Sequence, residues 1–229
     1  MKILERLKII HLTIKLIGSK ISISFLLGGS ILKEITIRKM NDSEIEEVAR
    51  FIAIGYEDDT FFHWCVSHDK NQIQLVSKYY EVYLKAKGSI VNVATLDNQL
   101  VGASVWLPHD VDASIYDDIN EVVLKHRDNF QEVADRSHEN EPKNIPFYQL
   151  VGVVSDKQYR GCGIGYQLLK HQIDIFDKEG IPTYLEASTP YTNRSVYYKF
   201  NYQPYGDNMV FGKDAILYPL YREALRNDN

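Results

Sequence analysis

Residues 147–165 constrain the fold more than any other part of this 229-residue chain. An apolar run over 147–155 leads into Asp156-Lys157-Gln158-Tyr159-Arg160-Gly161-Cys162-Gly163-Ile164-Gly165, and an amphipathic stretch follows to about residue 180. That order predicts a strand, a tight loop and a helix. Glycines at alternate positions let the backbone turn sharply and approach a ligand closely. The helix that follows aims its unpaired N–H groups and the positive end of its dipole at the same place. The loop suits an anion. A Walker loop needs Gly-Lys-Ser/Thr, whereas Gly165 is followed by Tyr166-Gln167, which disfavours a nucleotide triphosphatase. The dinucleotide fingerprint wants a third glycine where Tyr166 stands, which disfavours a nicotinamide cofactor. The plain alternative is a glycine-rich turn that only joins a strand to a helix.

The neighbouring residues argue against that alternative. Arg160-Gly161-Cys162-Gly163-Ile164-Gly165 resembles the pyrophosphate loop of the GNAT superfamily of N-acetyltransferases, Arg/Gln-x-x-Gly-x-Gly/Ala. Downstream, Tyr184-Leu185-Glu186-Ala187 precedes Asn193-Arg194-Ser195-Val196-Tyr197-Tyr198-Lys199-Phe200-Asn201-Tyr202, similar to that family's strand, Asn and Leu-Tyr-Glu-Lys-Leu-Gly-Phe helix. Within the superfamily the pattern looks most like the branch that contains puromycin N-acetyltransferase and related small-molecule acetyltransferases.

Composition agrees with one catalytic domain. With 45% hydrophobic and 25% charged residues the chain can bury one sizeable core. A formal charge of −5 gives no basic footprint for nucleic acid. Two cysteines, Cys65 and Cys162, make no metal-ligand cluster and read as free thiols in a reducing cytosol. Residues 1–33 differ: Lys2, Arg6, Lys8, Lys15, Lys20 and Lys33 are set among leucines and isoleucines. No apolar run there approaches the ~20 residues needed to span a bilayer. This cationic amphipathic extension reads as a membrane-surface helix over 1–27, a signal peptide, an extra element packed on the domain, or a mis-chosen start.

From residue 34 the elements are legible in order. The spacing predicts a strand over 35–38, a helix capped by Asn41-Asp42-Ser43-Glu44 and running to about 55, and a helix over 70–87. A hairpin follows over 90–96 and 100–107 about Asp97-Asn98-Gln99. Residues 108–144 read as a polar, partly helical insertion. A strand over 147–155, a helix over 163–180, a strand over 183–187, a helix over 193–200 and a strand over 210–217 complete the pattern. The expectation is an α/β protein with the GNAT fold, a mixed and mostly antiparallel sheet flanked by helices, over residues 34–229.

The resemblance implies a chemistry: an acetyl-CoA-dependent N-acetyltransferase, cytoplasmic, that transfers acetyl directly to a primary amine of a small molecule. The alternatives are a protein or peptide N-acetyltransferase and a catalytically silent acyl-CoA-binding module. Transfer from a thioester requires an unprotonated amine, a place for charge on the carbonyl oxygen and a proton for the departing thiolate. By the resemblance, Val153, Val154 and Ser155 offer backbone bonds to pantetheine and acetyl, and Arg160, Gly161, Cys162, Gly163, Ile164 and Gly165 hold the pyrophosphate. Asn193 bonds the cofactor or caps the last helix. Tyr197 aligns with the family's acid, and a phenol of pKa ~10 stays protonated at neutral pH. Glu186 is the candidate base, set apart from Leu185 and Ala187 by strand alternation, or else a structural carboxylate. His63 and His109 are further candidates, or else pocket or surface residues. Phe61-Phe62-His63-Trp64 lines the acceptor site or is core. Two residues depart from the family pattern: Asn201 replaces a glycine and Asp156 a proline. Cys162 lacks the neighbouring base that an acyl-carrying thiol requires.

Overall fold

The computed structural model describes residues 12–17, 20–27, 30–191 and 196–225. β1 (Leu12–Ile17), β2 (Lys20–Leu27) and β3 (Ser30–Lys39) run as consecutive antiparallel strands. Residues 12–17 and 20–27 are therefore extended rather than the surface helix weighed above, and the first part of that expected helix, 1–11, lies outside the described residues. The run Ile21-Ser22-Ile23-Ser24-Phe25 alternates at the strand period of two.

α1 (Ile45–Gly55) is preceded by a capping box in which Asn41 and Glu44 satisfy each other's backbone N–H groups. Val48, Ala49 and Ile52 are buried, as the spacing predicts. α2 (Thr60–Cys65) holds the aromatic cluster, and its six residues are too few for periodicity to reveal; the Asp59 carboxylate caps it by accepting from the Phe61 and Phe62 N–H groups. α3 (Gln72–Lys85) follows, then β4 (Ile90–Leu96) and β5 (Gln99–Pro108). Asp97 and Asn98 turn that hairpin with φ of 52° and 63°, the left-handed pair that matches strand twist.

The insertion contains α4 (Ser114–Val123) and α5 (Arg127–Asn140). β6 (Tyr148–Ser155), α6 (Ile164–Glu179) and β7 (Thr183–Ala187) form a parallel unit. β8 (Gln203–Pro204), β9 (Met209–Val210) and β10 (Ile216–Arg222) end the chain.

Two expectations near the end are corrected. In the described part of 193–200 the backbone is a 3-10 turn, Tyr197–Phe200, closed by Asn201 at φ 64°. Asparagine thus takes the left-handed position where the family has glycine. The strand expected over 210–217 is split, because the Gly212-Lys213-Asp214 corner folds β9 back on β10, with Phe211 N–H bonded to Ala215 C=O at 2.9 Å.

Sheet order is β1-β2-β3-β4-β5-β6-β7-β10-β8, with β9 on β10. The central strands are covered on both faces. Val91, Val93, Ala103, Val105 and Val154 pack against α1 and α3, while Ala94, Val101 and Trp106 pack toward α6. Two irregularities shape the middle of the sheet. β6 and β7 pair only over Tyr148–Leu150 and Thr183–Leu185, and beyond Leu150 the strands part. One residue further, the β5–β6 register steps from Leu150↔Trp106 to Gly152↔Val105, leaving Val151 as an unmatched bulge.

Candidate active site in the β6–β7 cleft

The parted strands form a cleft lined by Tyr56, Val151, Gly152, Val153, Glu186 and Tyr197, with Arg160 at its edge. The sequence explains the opening. β6 carries a bulge at its midpoint, and two tyrosines hold it there. Tyr80 donates its hydroxyl to the Val151 carbonyl at 2.9 Å, and Tyr56 accepts the Val153 N–H at 3.2 Å. The two rings stack, with centroids 5.9 Å apart and planes 8° from parallel. Burial pushes the Tyr56 phenol up to about 12, partly offset by the Val153 N–H. The Val153 N–H thus points away from β5, and strand alternation sends that of Ser155 the same way. Val154 is the exception among the three strand-end candidates: its side chain is buried and its peptide alternates toward β5.

The glycine loop follows at the top of β6. Asp156 accepts from Gln158 N–H at 2.7 Å and caps the turn Lys157–Tyr159, a task that the family's proline cannot perform with a side chain. Lys157 pairs with Glu57 and Asp58 at 3.0 and 2.8 Å, tying the loop to the end of α1. Gly161 and Gly163 have φ of 83° and 81°, a conformation that costs other residues about 1–2 kcal/mol. A Cβ at Gly161, Gly163 or Gly165 would meet nothing within 4 Å, so the space beside the loop is open. No side chain caps α6, which leaves its first N–H groups to that space. Ile164 buries its side chain, and Arg160 and Cys162 are exposed. Cys65 is buried, and both thiols are free.

Glu186 stands where two spaces meet. It lines the cleft, and it also lines a second cavity of about 170 Å³ walled by Phe62, Tyr79, Tyr83, Tyr116 and Phe130. Each carboxylate oxygen accepts one hydroxyl: Ser137 Oγ to Oε2 at 2.8 Å and Tyr184 OH to Oε1 at 2.9 Å. Burial raises the acid to about 7, against the lowering effect of those two donors. The bond to a tyrosine matches the structural reading of Glu186, and its position at the junction matches the catalytic one.

Tyr197 is 5% exposed, and burial raises its phenol far above the usual range, so it is protonated at any physiological pH. Asn193 lies outside the described residues. The histidines separate: His63 bonds the Glu57 carbonyl at 2.7 Å, whereas His109 lines the cavity with its ring 5.4 Å from Phe147. Phe61 and Phe62 are both core and cavity wall, while Trp64 packs on Phe211. Sequence reasoning missed Tyr56, Tyr80, Tyr184 and Ser137. Only Tyr184 had a local signal, since it shares a strand face with Glu186 two residues away. Among the described residues no group of three or more His, Cys, Asp or Glu side chains is arranged to hold a metal, and no helix is long and apolar enough to cross a membrane.

The fold is similar to that of several solved acetyltransferases. An acetyltransferase from Corynebacterium glutamicum, described with histone acetyltransferase HPA2, superposes with a TM-score of 0.61 at 16% identity, covering 84% of this chain and 98% of its own. Arylalkylamine N-acetyltransferase 2 from Aedes aegypti gives 0.59 at 12% identity, covering 83% and 99%. The polyamine N-acetyltransferase of Drosophila melanogaster gives 0.51 at 13% identity, covering 82% and 99%. No curated protein matches the sequence significantly. Residues 55–202, which contain the loop, the cleft and Glu186, match the family described as Acetyltransferase (GNAT) family. The chain is an acyltransferase and belongs to the acetyltransferase (GNAT) family.

Proposed function

We propose that the protein transfers acetyl from acetyl-CoA directly to the primary amine of a small molecule, with Glu186 as base and Tyr197 as acid. One observation carries this reading: Glu186 borders both the cleft beside the glycine loop and the aromatic cavity, where donor and acceptor would meet. The residues fit acetyl-CoA. The open space at Gly161, Gly163 and Gly165 and the uncapped start of α6 suit its pyrophosphate. The cleft-side N–H of Ser155 suits its amide arm, and the Val153 N–H would serve the acetyl oxygen by exchanging its bond to the Tyr56 hydroxyl.

An amine that arrives as ammonium gives one proton to Glu186 and attacks as the free base. Its nitrogen bonds to the acetyl carbonyl carbon and the carbon–sulfur bond breaks. The second nitrogen proton leaves to water, and the thiolate takes a proton that Tyr197 relays from water in the same step, so that the buried phenol is not left ionised. Tyr197→Phe is expected to lower kcat about 10–100-fold while leaving the calorimetric Kd for acetyl-CoA within about twofold. An unaltered kcat removes Tyr197 as the acid.

The acceptor is read from the cavity. Its volume of about 170 Å³ is close to that of engineered apolar cavities that hold one benzene ring, and an aromatic side of Phe61, Phe62, Tyr79, Tyr83, Tyr116 and Phe130 faces polar groups such as Gln131, Glu141 and Glu186. An amine on a short arm from one ring-sized apolar group fits, in keeping with the arylalkylamine N-acetyltransferases among the structural neighbours. Release of free CoA should be fastest with arylalkylamines, at least about tenfold in kcat/KM over polyamines, aminoglycosides and lysine peptides. Preference for peptides would overturn the small-amine reading, and no turnover with any class would favour an acyl-CoA-binding module. A kinship with the puromycin N-acetyltransferase branch would rest on Tyr184-Leu185-Glu186-Ala187 and the short interval from Glu186 to Asn193, and puromycin belongs in the same screen.

A further inference from the structure

We propose that Ser137, on helix α5 of the insertion, is a positioning residue that holds Glu186 in the ionised form that accepts the acceptor's proton. The inference rests on the reading of Glu186 as base. Ser137 is 49 positions from Glu186 in sequence, yet its Oγ donates to Oε2 at 2.8 Å. Tyr184, from β7 itself, supplies the only other hydrogen bond to this carboxylate among the described residues.

The electrostatic setting makes each hydroxyl count. From α3 and α4, Tyr83 and Tyr116 face Glu186 with neutral phenols that its charge pushes further from ionisation. Beyond the C-terminus of α5, Glu141 adds like-charge repulsion. Glu141 is itself engaged by His138 at 2.8 Å and Lys143 at 3.6 Å. Among the described residues no cation acts on Glu186. A carboxylate in a partly dry site, without a cationic partner, depends on its hydrogen bonds to stay ionised. Ser137 brings one of two such bonds from an element otherwise concerned with walling the aromatic cavity, to which Phe130, Val133 and Ala134 of the same helix also contribute.

The test is Ser137→Ala, with the pH dependence of kcat/KM and a carbon-13 NMR titration of side-chain carboxyl groups in the acetyl-CoA-free protein. The Glu186 resonance is assigned by its disappearance in Glu186→Gln. Alanine is the best helix former, so α5 should persist, and the melting temperature checks this. Loss of one hydrogen bond to a carboxylate should raise the Glu186 midpoint by about one pH unit. The acidic limb of kcat/KM should move with it, lowering activity about tenfold at pH 6 and far less at pH 9. Ser137→Thr, which keeps the hydroxyl, should return both midpoints toward the wild-type values. A merely structural role would lower activity evenly across pH.

An unmoved NMR midpoint overturns the positioning role, whatever the kinetics. A midpoint that moves while the kinetic limb stays fixed overturns Glu186 as the base, and with it the function assigned to Ser137.

Discussion

Gly163→Val is expected to abolish acetyl-CoA binding, weakening it at least about 100-fold by calorimetry, while the protein still folds. Two physical effects separate here. Gly163 caps α6 at φ 81°, so a β-branched side chain costs about 1–2 kcal/mol of backbone strain. Its Cβ would meet no protein atom within 4 Å, so no clash adds to that cost in the ligand-free protein. The side chain would instead fill the space that the proposed pyrophosphate requires. Gly180 provides the control. It ends the same helix at φ 69°, also with open space around a Cβ, but away from the loop. Gly180→Val should lose similar stability and keep its affinity for acetyl-CoA. Wild-type affinity in Gly163→Val would sink the assignment of the loop.

Glu186→Gln is expected to lower kcat/KM about 100–1000-fold at neutral pH and to remove the acidic limb of the profile. In the wild type that limb should rise with pH and have its midpoint near 7, where the raised carboxyl is half ionised. Stability should change in the opposite direction. The folded-state value, about 7, lies above the ordinary carboxyl value of 4.5. The stability that the neutral acid confers is therefore fully present below about pH 4.5 and lost as pH rises through about 7. Glutamine stays neutral at every pH. The variant should gain on the order of 1–3 kcal/mol relative to wild type at pH 8 and nothing at pH 4. Denaturant unfolding at the two pH values measures this. Equal differences at both would show that Glu186 does not titrate near 7, and an unchanged kcat/KM would remove it as the base.

The parts of the fold that local rules govern were legible in the chain. α6 (Ile164–Glu179) lies within the expected 163–180, because glycines flank it at both ends and its apolar residues recur at the helical spacing. The β4–β5 hairpin turns at Asp97-Asn98, which tolerate positive φ. Misreadings arose where local pattern was weak or outweighed. The aromatic α2 spans under two turns, and Tyr197–Phe200 stops as a 3-10 turn when Asn201 turns left-handed. The N-terminal lysines and isoleucines suggested an amphipathic helix, and over 12–17 and 20–27 β1 and β2 show strands instead.

The sequence by itself determined the glycine loop as the candidate anion site, the family that the loop and its downstream motif indicate, and the candidates Glu186 and Tyr197, because each belongs to a short contiguous pattern. Only the tertiary structure decided what surrounds them. Tyr56 reaches the Val153 amide across 97 positions and Ser137 reaches Glu186 across 49. The bulge at Val151 and the parting of β6 from β7 are properties of strand register, not of either strand alone. A carboxyl value near 7 likewise depends on burial and on hydroxyls brought from separate elements, and no local pattern in the chain encodes that convergence.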